Sequence, residues 1–333
     1  MSNEEYYKIY LLQDYHRRRL HGRLGIIEFF LEQLENNLEN GEREKIPEDK
    51  IGLDFNGKMA ILQIGAISHI MMLIEDLAVF CISFIKNDPD YYRYLDSKGN
   101  DELGKIIHDF FTNIDSLKVD DCRKILSLVN PEEHEFESEK EEMVFLSTLT
   151  KAILILKTFL VKTSVFRESH IEIFRRYKHA TLPIFLGNDM SADITEYKEF
   201  DFVSFVISSK ENPEEEMVSL PFSSDVIQSY RNMMLDIYFV LGTILNSRLI
   251  IMERHISGMV PYSNDYFSET YTDEEKTILK KMMEKFEENT MPDEKEFHAR
   301  ISPFAKFPAW YIHLDLYKKS NKDIIKEKTP TKS

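Results

Sequence analysis

The chain has 333 residues, 43% hydrophobic and 12% aromatic, which is enough to bury a large core and too apolar for a disordered protein. A net charge of −16 excludes a protein that coats nucleic acid with its whole surface, so any such contact has to use a local patch. Two cysteines, Cys81 and Cys122, are too few for a disulfide framework, and the acidic start MSNEEYY has no signal-peptide pattern, so a reduced, cytoplasmic setting is expected.

Residues 4–38 carry apolar side chains at helical spacing: Tyr7, Leu11, Tyr15, Leu24, Ile27, Leu31, Leu34 and Leu38. Glu28, Glu32, Glu35 and Glu39 step down the other side as a solvated acidic face. Between the halves lies HRRRLHGR, the Arg17–Arg23 basic block, with Gly22 and Gly25 expected to bend or break the helix. The block reads as an exposed face paired with acidic neighbours, against a phosphate or partner site. A polar linker to residue 57 completes an N-terminal unit, 1–57, that packs on the bundle.

Residues 59–85 are apolar and long enough to raise a membrane span, but Gln63, His69, Glu75 and Asp76 lie inside. One acid at mid-bilayer costs roughly 2.5–3.5 kcal/mol, and here two are adjacent. The segment is therefore expected to be a buried core helix, with no membrane contact. Ser68, His69, Glu75, Asp76 and Ser83 fall along one stripe, and buried ionisable groups need partners. The expected supplier is the cationic cluster at 175–179, with Glu75 or Asp76 within salt-bridge reach of His170, Arg175, Arg176 or Lys178.

A helix capped by Asn100 is expected to carry Leu103, Ile106, Ile107, Phe110, Phe111 and Ile114, followed by a shorter one over 119–129 stopped by Asn130-Pro131. Residues 138–183 read as the long helix around which the rest is organised. It opens on a capping box, Ser138 and Glu141, and ends in FRRYKHATLP. A β-hairpin is expected at about 198–220, then a long amphipathic helix capped by Ser223 or Ser224 and running to about His255. After a loop over 257–271, Thr272 and Glu275 box a helix with Ile278, Leu279, Met282, Met283 and Phe286 on its core face. Residues 304–317 alternate with period two and read as a short strand, and 318–333 as a disordered lysine-rich tail. The fold class is mainly α: a multi-helix bundle with a small β-hairpin inserted after the central long helix. Its units are 1–57, a helical core over 58–256, a C-terminal helix and strand over 257–317, and the tail.

No Glu-x-x-His, paired histidines four apart, Walker loop, dinucleotide loop or nucleophile elbow occurs, so no cofactor or metal is expected. His108-Asp109 has the outline of an HD-type metal phosphohydrolase, in which imidazole and carboxylate ligate a metal that activates water. The better candidate is the end of the long helix. Phe166, His170, Ile173, Phe174 and Tyr177 share one face, and Glu172 can pair with Arg176. Arg175, Lys178 and His179 crowd the last turn, where exposed carbonyls favour cations. The cluster His170, Arg175, Arg176, Lys178 and His179 is then either a well-capped helix end or a cationic pocket for phosphate or an RNA backbone.

FRRYKHA (174–180), and LIEDLAVF (73–80) beside it, with a hairpin and a long amphipathic helix following, resemble the HEPN superfamily over about residues 58–256. The resemblance implies a helical protein, often a homodimer, that binds a protein partner or RNA, with phage defence or stress response as its setting. A metal-independent HEPN-type ribonuclease is the alternative it implies; the second alternative, an HD-type phosphohydrolase, rests on His108-Asp109 instead. The HEPN catalytic motif places a histidine a few residues after an arginine. Arg248 and His255 fit that spacing, with His179 as a further candidate, although apolar Leu249 follows the arginine where the family carries a polar residue.

Overall fold

The computed structural model describes residues 3–40, 55–86, 98–178, 184–185, 202–207, 216–221, 223–254 and 272–290. In chain order these form α1 (Asn3–Asp14), a π-helical turn (Tyr15–Leu20), α2 (His21–Asn40), α3 (Phe55–Ile85), α4 (Asn100–Thr112) and α5 (Val119–Ile125). Then come α6 (Glu139–Lys178), α7 (Ser224–Arg254) and α8 (Asp273–Thr290). The described chain is mainly helical. Between α6 and α7, three short β segments, β1 (Ile184–Phe185), β2 (Phe202–Ile207) and β3 (Glu216–Pro221), pair antiparallel in that order. The expected loop at 257–271, strand at 304–317 and tail at 318–333 lie outside the described residues, as do His179 and His255.

The hub is α3, not the 138–183 segment that looked central in the sequence. Side chains from Met59 to Phe84 are buried on all its faces, as expected for a helix apolar all round, and α2, α4, α5, α6, α7 and β2 all touch it. Three helical segments, Lys58–Ile85, Glu139–Arg175 and Ser224–Met252, are long and apolar enough to cross a membrane by length and composition. The bundle buries 78% of the most apolar window in the first but only 44% and 50% in the other two. So α3 is core, α6 keeps apolar side chains outside, and the apolar side chains of α7 are buried or half-buried.

The helix break expected at Gly22 and Gly25 is absent; both glycines lie inside α2 with open space around them. The distortion falls earlier, in the π turn. Its i→i+5 bonding admits an extra residue per turn, so the buried series Ile9, Leu12, Tyr15 continues at Leu20, five residues on. From there Ile27, Leu31 and Leu34 keep to the core. The acidic face of α2 is also not wholly solvated. Arg231 of α7 reaches Glu28 and Glu35 at 3.0 Å each and clamps the two helices together.

Other ends follow local chemistry. Ser138 Oγ accepts from Glu141 N–H, while the Glu141 carboxylate accepts from Glu137 N–H, one residue before the box expected. Thr272 and Glu275 complete their box in both directions. Ser223 Oγ accepts from Val226 N–H to cap α7. Asn100 is the first residue of α4 and not its cap, which is Gly99. The helix at 119 stops at Ile125, short of Asn130-Pro131, because Ser127 takes a left-handed φ of 56° and Leu128 N–H turns back to the Arg123 carbonyl.

Where α2 crosses α3, Gly65 admits Phe30: a Cβ at Gly65 would stand 2.7 Å from the Phe30 ring, which itself stacks on His69. Alanine would help the helix by about 1 kcal/mol, but overpacking costs about 1–3 kcal/mol. Gly65→Ala is therefore expected to destabilise by about 1 kcal/mol, and Phe30→Leu in the same chain to recover it. Urea unfolding of the two single variants and the double variant measures this.

Candidate functional site

Among the described residues, the polar stripe of α3 meets cations from two helices, Arg23 of α2 and Arg167 of α6. Asp76 accepts a short hydrogen bond from the Tyr15 hydroxyl and lies 3.2 Å from Arg23 Nη1. The widened turn ahead of α2 brings both partners inward, so Arg23 of the basic block is half-buried and not part of an exposed face. Arg18 and Arg19 keep the exposed character expected, pairing with Asp14 at 3.4 and 3.9 Å. The Arg17 side chain lies outside the described residues.

Burial pushes the Asp76 carboxyl up to about 6, against the pull of Arg23 and the Tyr15 hydrogen bond. Here desolvation wins over pairing. His69, stacked on Phe30 with Nδ1 buried and no hydrogen-bond partner among the described residues, is held below the usual imidazole range by burial and then by Arg23. His69 is thus a neutral core histidine.

Glu75 finds its cation one residue further round α3. Arg167 of α6 lies within its electrostatic reach, with a side chain only 4% exposed. Its Nη1 donates to Glu168 at 2.9 Å and its guanidinium sits 5.6 Å above the Phe111 ring. Glu168 in turn lies 3.9 Å from His108. Sequence reasoning missed Arg167. The signal was its register: Leu156, Leu160, Thr163, Arg167 and Phe174 follow the core spacing of α6, so an arginine there had to be buried.

At the end of α6 the proposed cluster divides. The His170 ring stacks on Phe166 at 4.3 Å and stands edge-on to Tyr230, and its Nδ1–H donates to the Phe166 carbonyl at 2.8 Å. Burial lowers its pKa, so His170 is neutral and adds no charge. Tyr230 accepts from Gln63 of α3, which seals that face. Arg175 points outward, 58% exposed, and pairs with Glu172 at 2.6 Å, where Arg176 had been expected. The side chains of Arg176 and Lys178 lie outside the described residues.

The remaining candidates are dispersed. Arg248 lies with its guanidinium carbon 5.3 Å above Phe84, its pKa lowered by burial. Phe84 is 21 residues along α3 from Gln63 and so about 31 Å away by helical rise. His108 is exposed, and no three His, Cys, Asp or Glu residues gather to hold a metal ion among the described residues.

No protein family, curated protein or solved structure matches this chain.

Proposed function

We propose that this chain is a cytoplasmic, HEPN-like helical module that binds RNA or an anionic protein partner through the cationic C-terminal end of α6, and does not cut it. The observation that carries the reading is the division of that helix end: His170 is neutral and turned inward, while Arg175 stands 58% exposed. Arg175, Arg176 and Lys178 against Glu172 leave an excess of two positive charges in a protein of net charge −16. Such an excess recruits phosphate by charge and not by sequence. A proton shuttle needs a histidine that can titrate in the site, and His170 is held neutral. The setting implied by the HEPN resemblance is phage defence or stress response. In this reading the β2–β3 pair is a hairpin insert, following the cationic end in the chain.

The test is fluorescence anisotropy with labelled single-stranded RNA, the same samples then run on a denaturing gel without added metal. Arg175→Glu is expected to weaken binding about fivefold to tenfold for every RNA sequence, since one phosphate contact is lost and one repulsion gained. Intact RNA is expected throughout. Metal-free cutting abolished by His179→Ala or His255→Ala would replace this reading with the ribonuclease, and metal-dependent cutting lost in His108→Ala with the phosphohydrolase.

A further inference from the structure

A cavity of about 50 Å³ lies between α1, the π turn and the last turns of α3. Its floor is apolar and buried: Leu12, Tyr15, Phe80 and Phe84 line it, none more than 8% exposed. Half-buried Leu11 adds to the wall. The rim is charged, with Lys8 half-buried, Arg19 61% exposed and Asp14 the single acid among the lining residues.

This shape follows from the sequence. Lys8, Leu11, Leu12 and Tyr15 recur at helical spacing and so share one face of the chain. The π turn carries that face on to Arg19, and such turns are frequent at functional sites. On α3, Phe80 and Phe84 are one turn apart, and the Tyr15 ring stands edge-on to Phe80 at 4.6 Å. Aromatic floor and cationic rim are therefore set by two helices that pack together.

A water needs about 10–15 Å³ of such space, so the cavity takes about three to five non-hydrogen atoms. Its floor suits an alkyl tail. The rim sets two cations against one acid, which suits a single negative charge. Arg19 meets Asp14 at 3.9 Å, an exposed pair of small worth that a ligand carboxylate can replace. We infer that the cavity binds a short-chain monocarboxylate of about four carbons, its tail against Phe80 and Phe84 and its carboxylate between Lys8 and Arg19. Inorganic phosphate fits the rim but has no apolar part. A primary amine of the same length fits the floor but meets two cations. This inference stands independently of the HEPN resemblance and of the cationic end of α6.

Ligand-observed NMR titration of the full chain with acetate, propionate, butyrate and octanoate tests this. Affinity is expected to rise about fourfold for each methylene from acetate to butyrate, since each buries the same apolar area. It should stop rising before octanoate, whose tail is longer than the floor. Arg19→Glu changes an exposed side chain and is expected to weaken butyrate about fivefold with cooperative melting retained. Lys162→Glu, the same charge change on exposed α6 surface, should leave the affinity as it was. Leu11→Phe fills the space of the tail and is expected to leave butyrate no tighter than acetate. Equal affinity for acetate and butyrate in the unmodified protein, or an unaffected Arg19→Glu variant, overturns the proposal. So does phosphate or butylamine bound as tightly as butyrate, or no butyrate binding at all. A tripeptide ending in valine bound more tightly than butyrate overturns it too, because the ligand is then a peptide chain end.

Discussion

Arg167→Ala is expected to destabilise the protein by about 3 kcal/mol, far more than any substitution at the exposed cationic end. The guanidinium is almost wholly buried, bonded to Glu168, seated over Phe111 and opposed to Glu75. Truncation deletes the packed stem and the charge together, and removes a cation from the surroundings of Glu75. Arg167→Met separates the two contributions: it keeps the stem and removes only the charge. Because burial already depresses the guanidinium's pKa, the methionine variant is expected to recover half or more of the loss. Glu32→Ala, on the exposed side of α2, should stay within about 0.5 kcal/mol of the parent. Urea unfolding midpoints give all three. A loss under about 1 kcal/mol for Arg167→Ala would show that the buried arginine does not organise the α3–α6 contact.

The second large effect depends on pH. Asp76 is raised from 3.8 to about 6, so its protonated form is the one the fold prefers. For a group raised on folding, the stability it contributes is complete below the unfolded pKa and is lost as pH rises through the folded value. The two-unit rise corresponds to about 3 kcal/mol, spent between about pH 4 and pH 6. Asp76→Asn keeps an acceptor for the Tyr15 hydroxyl and does not ionise. The stability of this variant relative to the parent should therefore climb by up to about 3 kcal/mol between pH 4 and pH 7. Arg23 loses its ion pair, but with 29% of its side chain exposed it can be hydrated in its place. The groups facing Asp76 are Tyr15, Arg19, Arg23 and Glu75. His69, close to Arg23, is held below the usual imidazole range by burial and then by that guanidinium. A flat difference from pH 4 to pH 7 would show that the Arg23 pair outweighs burial.

Much of the helical layout was readable in the sequence because caps and apolar periodicity act locally. The Thr272–Glu275 box and the Ser223 cap each need only the residues beside them. The apolar run of α3 announced a buried helix, since acids in its middle weigh against a bilayer and require internal partners. That Arg23 would meet Asp76 was not readable. That choice depends on one extra residue in the turn over Tyr15–Leu20, which rotates Arg23 inward, and no local signal marks a π turn. The hub was misplaced for a related reason. Residues 138–183 stood out by length and end charge, whereas centrality depends on how many neighbours cover a helix, and α6 keeps an uncovered stripe. Glu28 and Glu35 looked solvated because their partner, Arg231, is some 200 positions away. Within the candidate site, the inward turn of His170 followed from its spacing with Phe166 and Phe174. Its neutrality needed the Phe166 carbonyl and the Tyr230 ring, which only the folded chain supplies.

The salt dependence of RNA binding tests the central claim most directly. Each phosphate neutralised on a single strand contributes about −0.7 to the slope of log K against log salt. Arg175, Arg176 and Lys178 acting together should give a slope of about −2, falling toward −1 in Arg175→Glu. Binding that does not change with salt, or none at the lowest salt, would contradict the account.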